Sequence, residues 1–352
     1  MPSLPTVSRA YRLPKFEGIQ SLTLSQIDVP PLKATEVLVK IHAVSLNFRD
    51  LITTKGQYFV QPNLNSVPGA DSAGEIIALG ADLLGPGAKW AVGDRVNASI
   101  FLDYIHGDVT LEYLANSLGA PGVDGTLTEY RAFPAHALVK IPEHLSYEEA
   151  ATLPGAALTS YSSLLGPAPL KGGDTVLVQG TGGVSIAALQ FAVASGATVI
   201  ATSSSDAKLE VAKKLGATHL INYKTTPDWD KEVLKITNGR GVDHILEIGG
   251  SGTIVKSLEA IRYGGHIYAI GFLAQDGAEA NTTIRTIIKA CHVHGVLIGS
   301  VSQFEAMNRL ISARGIHPVV DKVFAFEDAA KAYEYFESQA FVGKVVIKVS
   351  KD

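Results

Sequence analysis

One cysteine, Cys291, stands in a chain of 352 residues. That excludes an internal disulfide framework and any zinc site built on several thiolates. Charge is also sparse. Charged residues make up 18% of the chain, with 30 Lys plus Arg against 34 Asp plus Glu, a net charge of −4. Such a balance gives nucleic acid or an anionic membrane no electrostatic footing, so neither is expected as a partner. No repeat or low-complexity segment stands out. The stretch from Met1 to Phe16 carries prolines and charges where a secretory leader needs an apolar core. The longest apolar stretch, Val184 to Ala201, is interrupted by Gln190 and Gly196. It reads as a buried helix running into a buried strand, not as a membrane span. A cytoplasmic protein is the expectation.

What is present is apolar material. Hydrophobic residues make up 46% of the chain, enough for two cores and too much for a disordered chain. Up to about residue 150, short strands alternate with Gly/Pro turns, as in EVLVKIHAV from Glu36, AGEIIALG from Ala73, GDRVNAS from Gly93 and ALVKIP from Ala137. That pattern predicts a mostly antiparallel β domain. From Asp174 the pattern changes. DTVLVQ, ATVIAT, THLINY, GVDHILEI and GHIYAIG read as strands, with helices such as VSIAALQFAVAS and DAKLEVAKKLGA between them. Strand–helix repetition predicts an α/β fold with a doubly wound parallel sheet. HVHGVLIG, from His292, would be its edge strand. The tail, VVDKVFAFEDAAKAYEYFES and then GKVVIKV, reads as strand, helix and strand rejoining the first domain. The segment Phe101 to Gly122 is longer than a simple turn and is a candidate for the substrate pocket.

The most informative segment is VLVQGTGGVSIAALQFA. Gly180, Gly182 and Gly183 fall directly after a strand and open a helix. Glycines let the backbone turn sharply against a pyrophosphate, and a helix N-terminus offers N–H groups to it. Ser185 stands where the strict G-x-G-x-x-G pattern ends in glycine. The next strand ends in Ala201-Thr202-Ser203-Ser204-Ser205, followed by Lys208, with no carboxylate placed to take a ribose 2′-OH. Hydroxyls and an ammonium suit a 2′-phosphate, so NADPH is expected over NADH.

Two other chemistries compete. Gly183-Val184-Ser185-Ile186-Ala187 is close to a G-x-S-x-G nucleophile elbow, and Asp243 and His266 follow in the chain order of a serine hydrolase. Gly180-Thr181-Gly182 has no role in an elbow, which favours the dinucleotide. In Cys291-His292-Val293-His294, strand alternation puts both histidines on one face. A metal there is not the expectation.

Taken in order, AVSLNFRD, PGADSAGE, VGDRV, DGTLTEY, EEAATLPGAALTSY, VLVQGTGGVS, KKLGATHLINY, EIGGSGT and GKVVIKV resemble the medium-chain dehydrogenase/reductase superfamily over nearly the full length. The resemblance implies a GroES-like catalytic domain over 1–158 and 312–352, with a Rossmann domain over 159–311. Zinc-dependent members carry a Cys in the segment matching AVSLNFRD and a His-Glu pair in that matching PGADSAGE. Here there is no Cys, and Ala70-Asp71 replaces His-Glu. The chain looks most like the zinc-free quinone oxidoreductases and the zinc-type alcohol dehydrogenase-like proteins.

That branch implies Asn47, Asp50 and Tyr58 as catalytic residues and no metal. Thr159 would lie on the nicotinamide side. Gly180, Thr181, Gly182, Gly183 and Val184 would hold the pyrophosphate, and Ser203, Ser204, Lys208 and Tyr223 the 2′-phosphate and adenine end. Gly249, Gly250, Ile270, Gly271 and Phe272 would lie at strand ends facing the cofactor. Ile52 departs from a tyrosine found in some quinone oxidoreductases. The implied activity is NADPH-dependent, zinc-independent reduction of a quinone or an enone C=C, with a small hydrophobic carbonyl or quinone as substrate. A metal-free alcohol dehydrogenase or carbonyl reductase is the alternative, and a nucleotide-binding protein without chemistry a third reading. A homodimer through the edge strand near Val293 to Ile298 is expected.

Overall fold

A computed structural model describes residues 4–273 and 282–350. The chain forms two compact units, Met1–Leu158 with Gly299–Asp352, and Thr159–Ile298.

In the first unit, β1 (Val7–Arg12) and β2 (Thr23–Asp28) make an antiparallel ribbon. The main sheet is built around β3 (Glu36–Ser45). Its β-branched, apolar sequence suits a strand covered on most of its length. Helix α1 (Phe48–Thr54) follows at once. Then come β4 (Ala73–Leu79), β5 (Arg95–Ala98), the short helix α2 (Leu111–Ala115), β6 (Tyr130–Pro134), β7 (Leu138–Lys140) and one turn of helix, α3 (Tyr147–Ala150). Strand β3 pairs antiparallel with both β4 and β6. Gly74 is obligatory in this crowded sheet, because a Cβ there would sit 2.3 Å from the Lys40 carbonyl. Helix α2 lies within the long segment that starts at Phe101.

Helix α4 (Leu158–Leu165) leads into the second unit. There β8 (Thr175–Gln179), α5 (Gly183–Ala194), β9 (Thr198–Ser203), α6 (Asp206–Lys214), β10 (His219–Asn222), α7 (Trp229–Ile236), β11 (Val242–Glu247), α8 (Ile254–Ala260), β12 (Ile261–Ala269), α9 (Thr282–Lys289) and β13 (His292–Gly295) alternate. The strands run parallel in the order β10-β9-β8-β11-β12-β13. This is the doubly wound order in which the direction of winding reverses between β8 and β11. The core gathers Leu177, Ile200, Ile245 and Ile267 from the strands with Trp229, Val233 and Leu258 from the helices, all buried. Each such side chain contributes roughly 1.5–3 kcal/mol. Glycines at φ +83° (Gly196) and +107° (Gly216) follow α5 and α6, where a left-handed residue stops a helix.

The tail opens with α10 (Val301–Arg314), capped by the Ser300 hydroxyl and ended by Gly315 at φ 57°. It continues through β14 (Val320–Ala325), α11 (Ala329–Glu337) and β15 (Lys344–Lys348). Strand β15 joins β3, giving the order β14-β15-β3-β4-β5-β7. The sequence reading places α10 in the Rossmann domain, with the boundary at 312. The structure puts the boundary at 298/299. The reason is bonding: Val301 and Ser302 N–H groups donate to the Tyr104 and Ile105 carbonyls (2.9 and 3.0 Å), and Asn308 Nδ2 donates to the Lys140 carbonyl (2.8 Å). No helix among the described residues is long and apolar enough to cross a membrane.

Candidate cofactor and catalytic residues

In the second unit, β8 ends at Gln179 and the chain turns through Gly180 at φ +73°. A Cβ on Gly180 or Gly182 would meet nothing within 4 Å, so the turn is open. Gly182 is the N-cap of α5, and Gly183 and Val184 begin its first turn. N–H groups there have no intrahelical acceptor. Thr181 is buried. On the β9 side, the buried Ser203 accepts the Tyr223 N–H on its carbonyl at 3.0 Å. Ser204 and Lys208 are half-buried, and Tyr223 is exposed. Asp206, in the first turn of α6, accepts from Asn222 Nδ2 at 2.8 Å.

On the β11 side, two turns lie backbone to backbone. Gly250 has φ +79°, and a Cβ there would be 2.9 Å from Phe272 Cα. One on Gly271 would be 2.3 Å from the Ile248 carbonyl. Ile270 and Gly271 N–H groups both donate to the Glu247 carbonyl, at 3.0 and 3.2 Å. Gly249, Gly250, Ile270, Gly271 and Phe272 thus form one patch at the ends of β11 and β12. Thr159 is buried in α4, where its carbonyl accepts the Ser162 and Ser163 hydroxyls.

The serine-hydrolase reading fails on geometry. The Ser185 hydroxyl is buried and donates to the Gln179 carbonyl at 2.6 Å, at the end of β8. Asp243 accepts the Thr175 N–H at 2.9 Å, at the start of β8, and is gripped by Arg240 and Arg262. Those two ends are about 13 Å apart at roughly 3.3 Å per residue. His266 lies with His244, His292 and His294 across β11, β12 and β13, its Nδ1 3.0 Å from His294 Nε2. Burial and the neighbouring imidazoles push His266 down to about 4. No group of three or more His, Cys, Asp or Glu able to hold a metal occurs among the described residues.

In the first unit, α1 begins at the N-cap Asn47, whose N–H donates to Asp50 Oδ2 at 2.8 Å. Asp50 therefore closes the first turn. Its carboxyl is buried, and desolvation pushes it up to about 6 against the opposing pull of Arg49. Ile52 is buried. Tyr58 is half-buried with the Arg49 guanidinium 5.2 Å from its ring centre. Burial holds its hydroxyl above the ordinary range.

The sequence reading did not single out Lys344. Its ammonium, buried at the start of β15, donates to the Leu46 carbonyl (2.6 Å), Asn47 Oδ1 (2.6 Å) and Asp71 Oδ2 (3.2 Å). Ser45 Oγ donates to the same Asp71 oxygen at 2.8 Å. Asn47 Nδ2 and Asp71 Oδ1 are buried without a partner among the described residues. A Cβ on Gly155 would fall 2.8 Å from Asp71 Oδ1 and 3.1 Å from Asn47, so only glycine closes this knot. The two segments in which zinc-dependent members carry their Cys and His-Glu do come together here. Their donors are now an amide, a hydroxyl and one carboxylate already in contact with an ammonium. That set lacks thiolate and imidazole and does not fit zinc. The lysine that opens the apolar run Val345–Ile347 in GKVVIKV was the signal available in the sequence.

Residues 33–143 match the alcohol dehydrogenase GroES-like domain, and residues 183–313 the zinc-binding dehydrogenase domain. A zinc-type alcohol dehydrogenase-like protein of Schizosaccharomyces pombe is 47% identical over 341 residues, 95% of this chain and 97% of that protein. The human quinone oxidoreductase is 28% identical over 348 residues, 96% of this chain and 97% of that protein. A crystal structure of an NAD-dependent alcohol dehydrogenase superposes with a TM-score of 0.86 at 32% identity, over 97% of this chain and all of that one. The chain belongs to the medium-chain dehydrogenase/reductase superfamily and is an oxidoreductase of that family.

Proposed function

We propose that this oxidoreductase works without zinc and uses NADPH to reduce a quinone or the C=C bond of an enone. The observation that carries the reading is the Lys344 ammonium lodged against Asp71 and Asn47. With no Lewis acid to bind a simple alkoxide, a substrate that delocalises its own negative charge is favoured. Conjugated acceptors do this, because the charge spreads into an enolate or phenolate that ordinary hydrogen-bond donors can support.

Bound NADPH supplies a hydride from C4 of its nicotinamide. For an enone, that hydride would bond to the β-carbon as the C=C electron pair forms the enolate, whose oxygen the Asn47 and Tyr58 donors would hold while a solvent proton completes the α-carbon. The open turn from Gly180 to Val184 fits the pyrophosphate. Ser203, Ser204, Lys208 and Tyr223 are the residues for the 2′-phosphate and adenine end, and Gly249 to Gly250 with Ile270 to Phe272 those for the nicotinamide half. The Asn47 carboxamide has its oxygen fixed by Lys344, which leaves its N–H groups as the donors. Tyr58 stays protonated at neutral pH and is a second donor. Asp50 holds Asn47 and does not itself touch substrate in this scheme.

Absorbance at 340 nm, followed with NADPH and a panel of quinones, enones, saturated ketones and alcohols, tests this. Turnover of the conjugated acceptors is expected. Turnover confined to saturated ketones or alcohols would move the assignment to a carbonyl reductase. Pairing of a second copy along the open edge of β13, where Val293 is exposed, belongs to the same proposal, and sedimentation velocity measures it.

A further inference from the structure

The second unit contains a carboxylate that the scheme above does not use. Glu247, at the end of β11, is 1% exposed and has no ion pair among the described residues. Five donors hold it instead: Gln179 Nε2 (2.9 Å), the Gly249 and Gly250 N–H groups (3.0 Å each), Thr253 Oγ1 and Ser257 Oγ. A buried carboxylate without a cation is costly, and an apolar residue there would fold more cheaply. What the charge achieves is a junction. Through Gln179, whose Oε1 accepts the Ile248 N–H at 3.1 Å, it ties the residue that precedes Gly180. Through two backbone N–H groups it fixes the Gly249–Gly250 turn. Its own carbonyl receives Ile270 and Gly271.

These attachments all lie on one side. Strands β8 and β11 are the neighbours at which the winding reverses, and dinucleotides lie across that crevice. The adenine half belongs over β9 and β10, the nicotinamide half over β11 and β12. We propose that Glu247 is a positioning residue for the nicotinamide half of the cofactor, its carboxylate bracing the glycine turns that carry that half. The two N–H groups of the 249–250 turn form a small anion-binding nest already filled by the chain's own carboxylate. They are therefore not available to the cofactor's phosphates. This inference rests on the reading that the unit binds a nicotinamide dinucleotide, not on which substrate is reduced.

The test is a binding experiment on the full chain. Glu247→Gln keeps the size but puts two N–H groups among donors. NADPH affinity, read by its own fluorescence, is expected to fall about tenfold, as loss of a hydrogen bond to a charged group implies. Affinity for 2′,5′-ADP, which has only the adenine half, is expected to stay within about twofold. Asp243→Asn, at the opposite end of the same strand, serves as the control for stability alone and should leave both affinities unchanged. Should Glu247→Gln fail to fold, Thr253→Val removes one donor and keeps the charge, and the same split in the same direction is expected. Equal weakening of both ligands, unchanged NADPH affinity, or the same loss in Asp243→Asn would overturn the proposal. A wild type that prefers NADH and 5′-AMP would sink the NADPH specificity alone, and the split measured with that pair would still decide the role of Glu247.

Discussion

Asp71 in the first unit and Glu247 in the second are both buried carboxylates, yet they are satisfied in opposite ways. Among the described residues Asp71 has a cation, Lys344, and a single hydroxyl on the same oxygen, while its other oxygen has no partner. Glu247 has, among the described residues, no cation but five neutral donors spread over both oxygens. The first arrangement concentrates stabilisation in one partner; the second distributes it over several. A charge pair therefore breaks all at once, whereas a ring of donors fails by degrees. The first suits a place that must keep a fixed charge pattern, and the second a junction that must hold several loops in register.

Lys344→Met is expected to have the largest effect. It strands the Asp71 charge and is expected to cost about 3–5 kcal/mol in urea unfolding. Adding Asp71→Asn should restore most of that loss, because the buried charge goes with its partner. A Lys344→Met protein as stable as wild type would mean that the pair does not hold this knot.

Asp50, close to the same charges, sharpens the contrast through pH. Its carboxyl is raised from an ordinary 3.8 to about 6, chiefly by burial. The folded protein then binds more protons than the unfolded chain between those values. This contribution to stability is fully present below pH 4 and is lost as pH rises through 6, by about 3 kcal/mol for a shift of roughly two units. Asp50→Asn keeps an oxygen for the Asn47 N–H and should flatten that slope in unfolding curves from pH 4 to 7. An unchanged slope would assign the titration elsewhere.

The donor-ring side is expected to give smaller effects. Gly250→Ala places a Cβ at φ +79° and against the Phe272 backbone, at about 2 kcal/mol, and should weaken cofactor binding as well. Ser185→Ala removes one bond to the Gln179 carbonyl, about 1 kcal/mol, with NADPH-dependent turnover retained. Loss of all turnover in that variant would restore Ser185 as a chemical group.

Local features were legible in the sequence and distant pairings were not. The parallel sheet follows from alternating strand and helix periods, and the glycine turn that opens α5 from glycines at one strand end. Asn47 and Asp50 share one helical turn, so their spacing was visible, but the same spacing serves a helix cap and a catalytic pair equally. Lys344 and Asp71 are 273 positions apart, and Glu247 and Gln179 are 68 apart. No local period links them. Helix α10 was not read from the sequence, and its unit is decided by distant carbonyls, those of Tyr104, Ile105 and Lys140.

As proposed here, Asn47, Tyr58 and an internal ammonium support hydride transfer in place of a metal. The most direct measurement is the rate of NADPH oxidation by a quinone after exhaustive dialysis against a strong zinc chelator, with metal content read by mass spectrometry. An undiminished rate is expected with zinc far below one per chain, and added zinc should not raise it. Activity that disappears on chelation and returns with one equivalent of zinc would contradict the proposal.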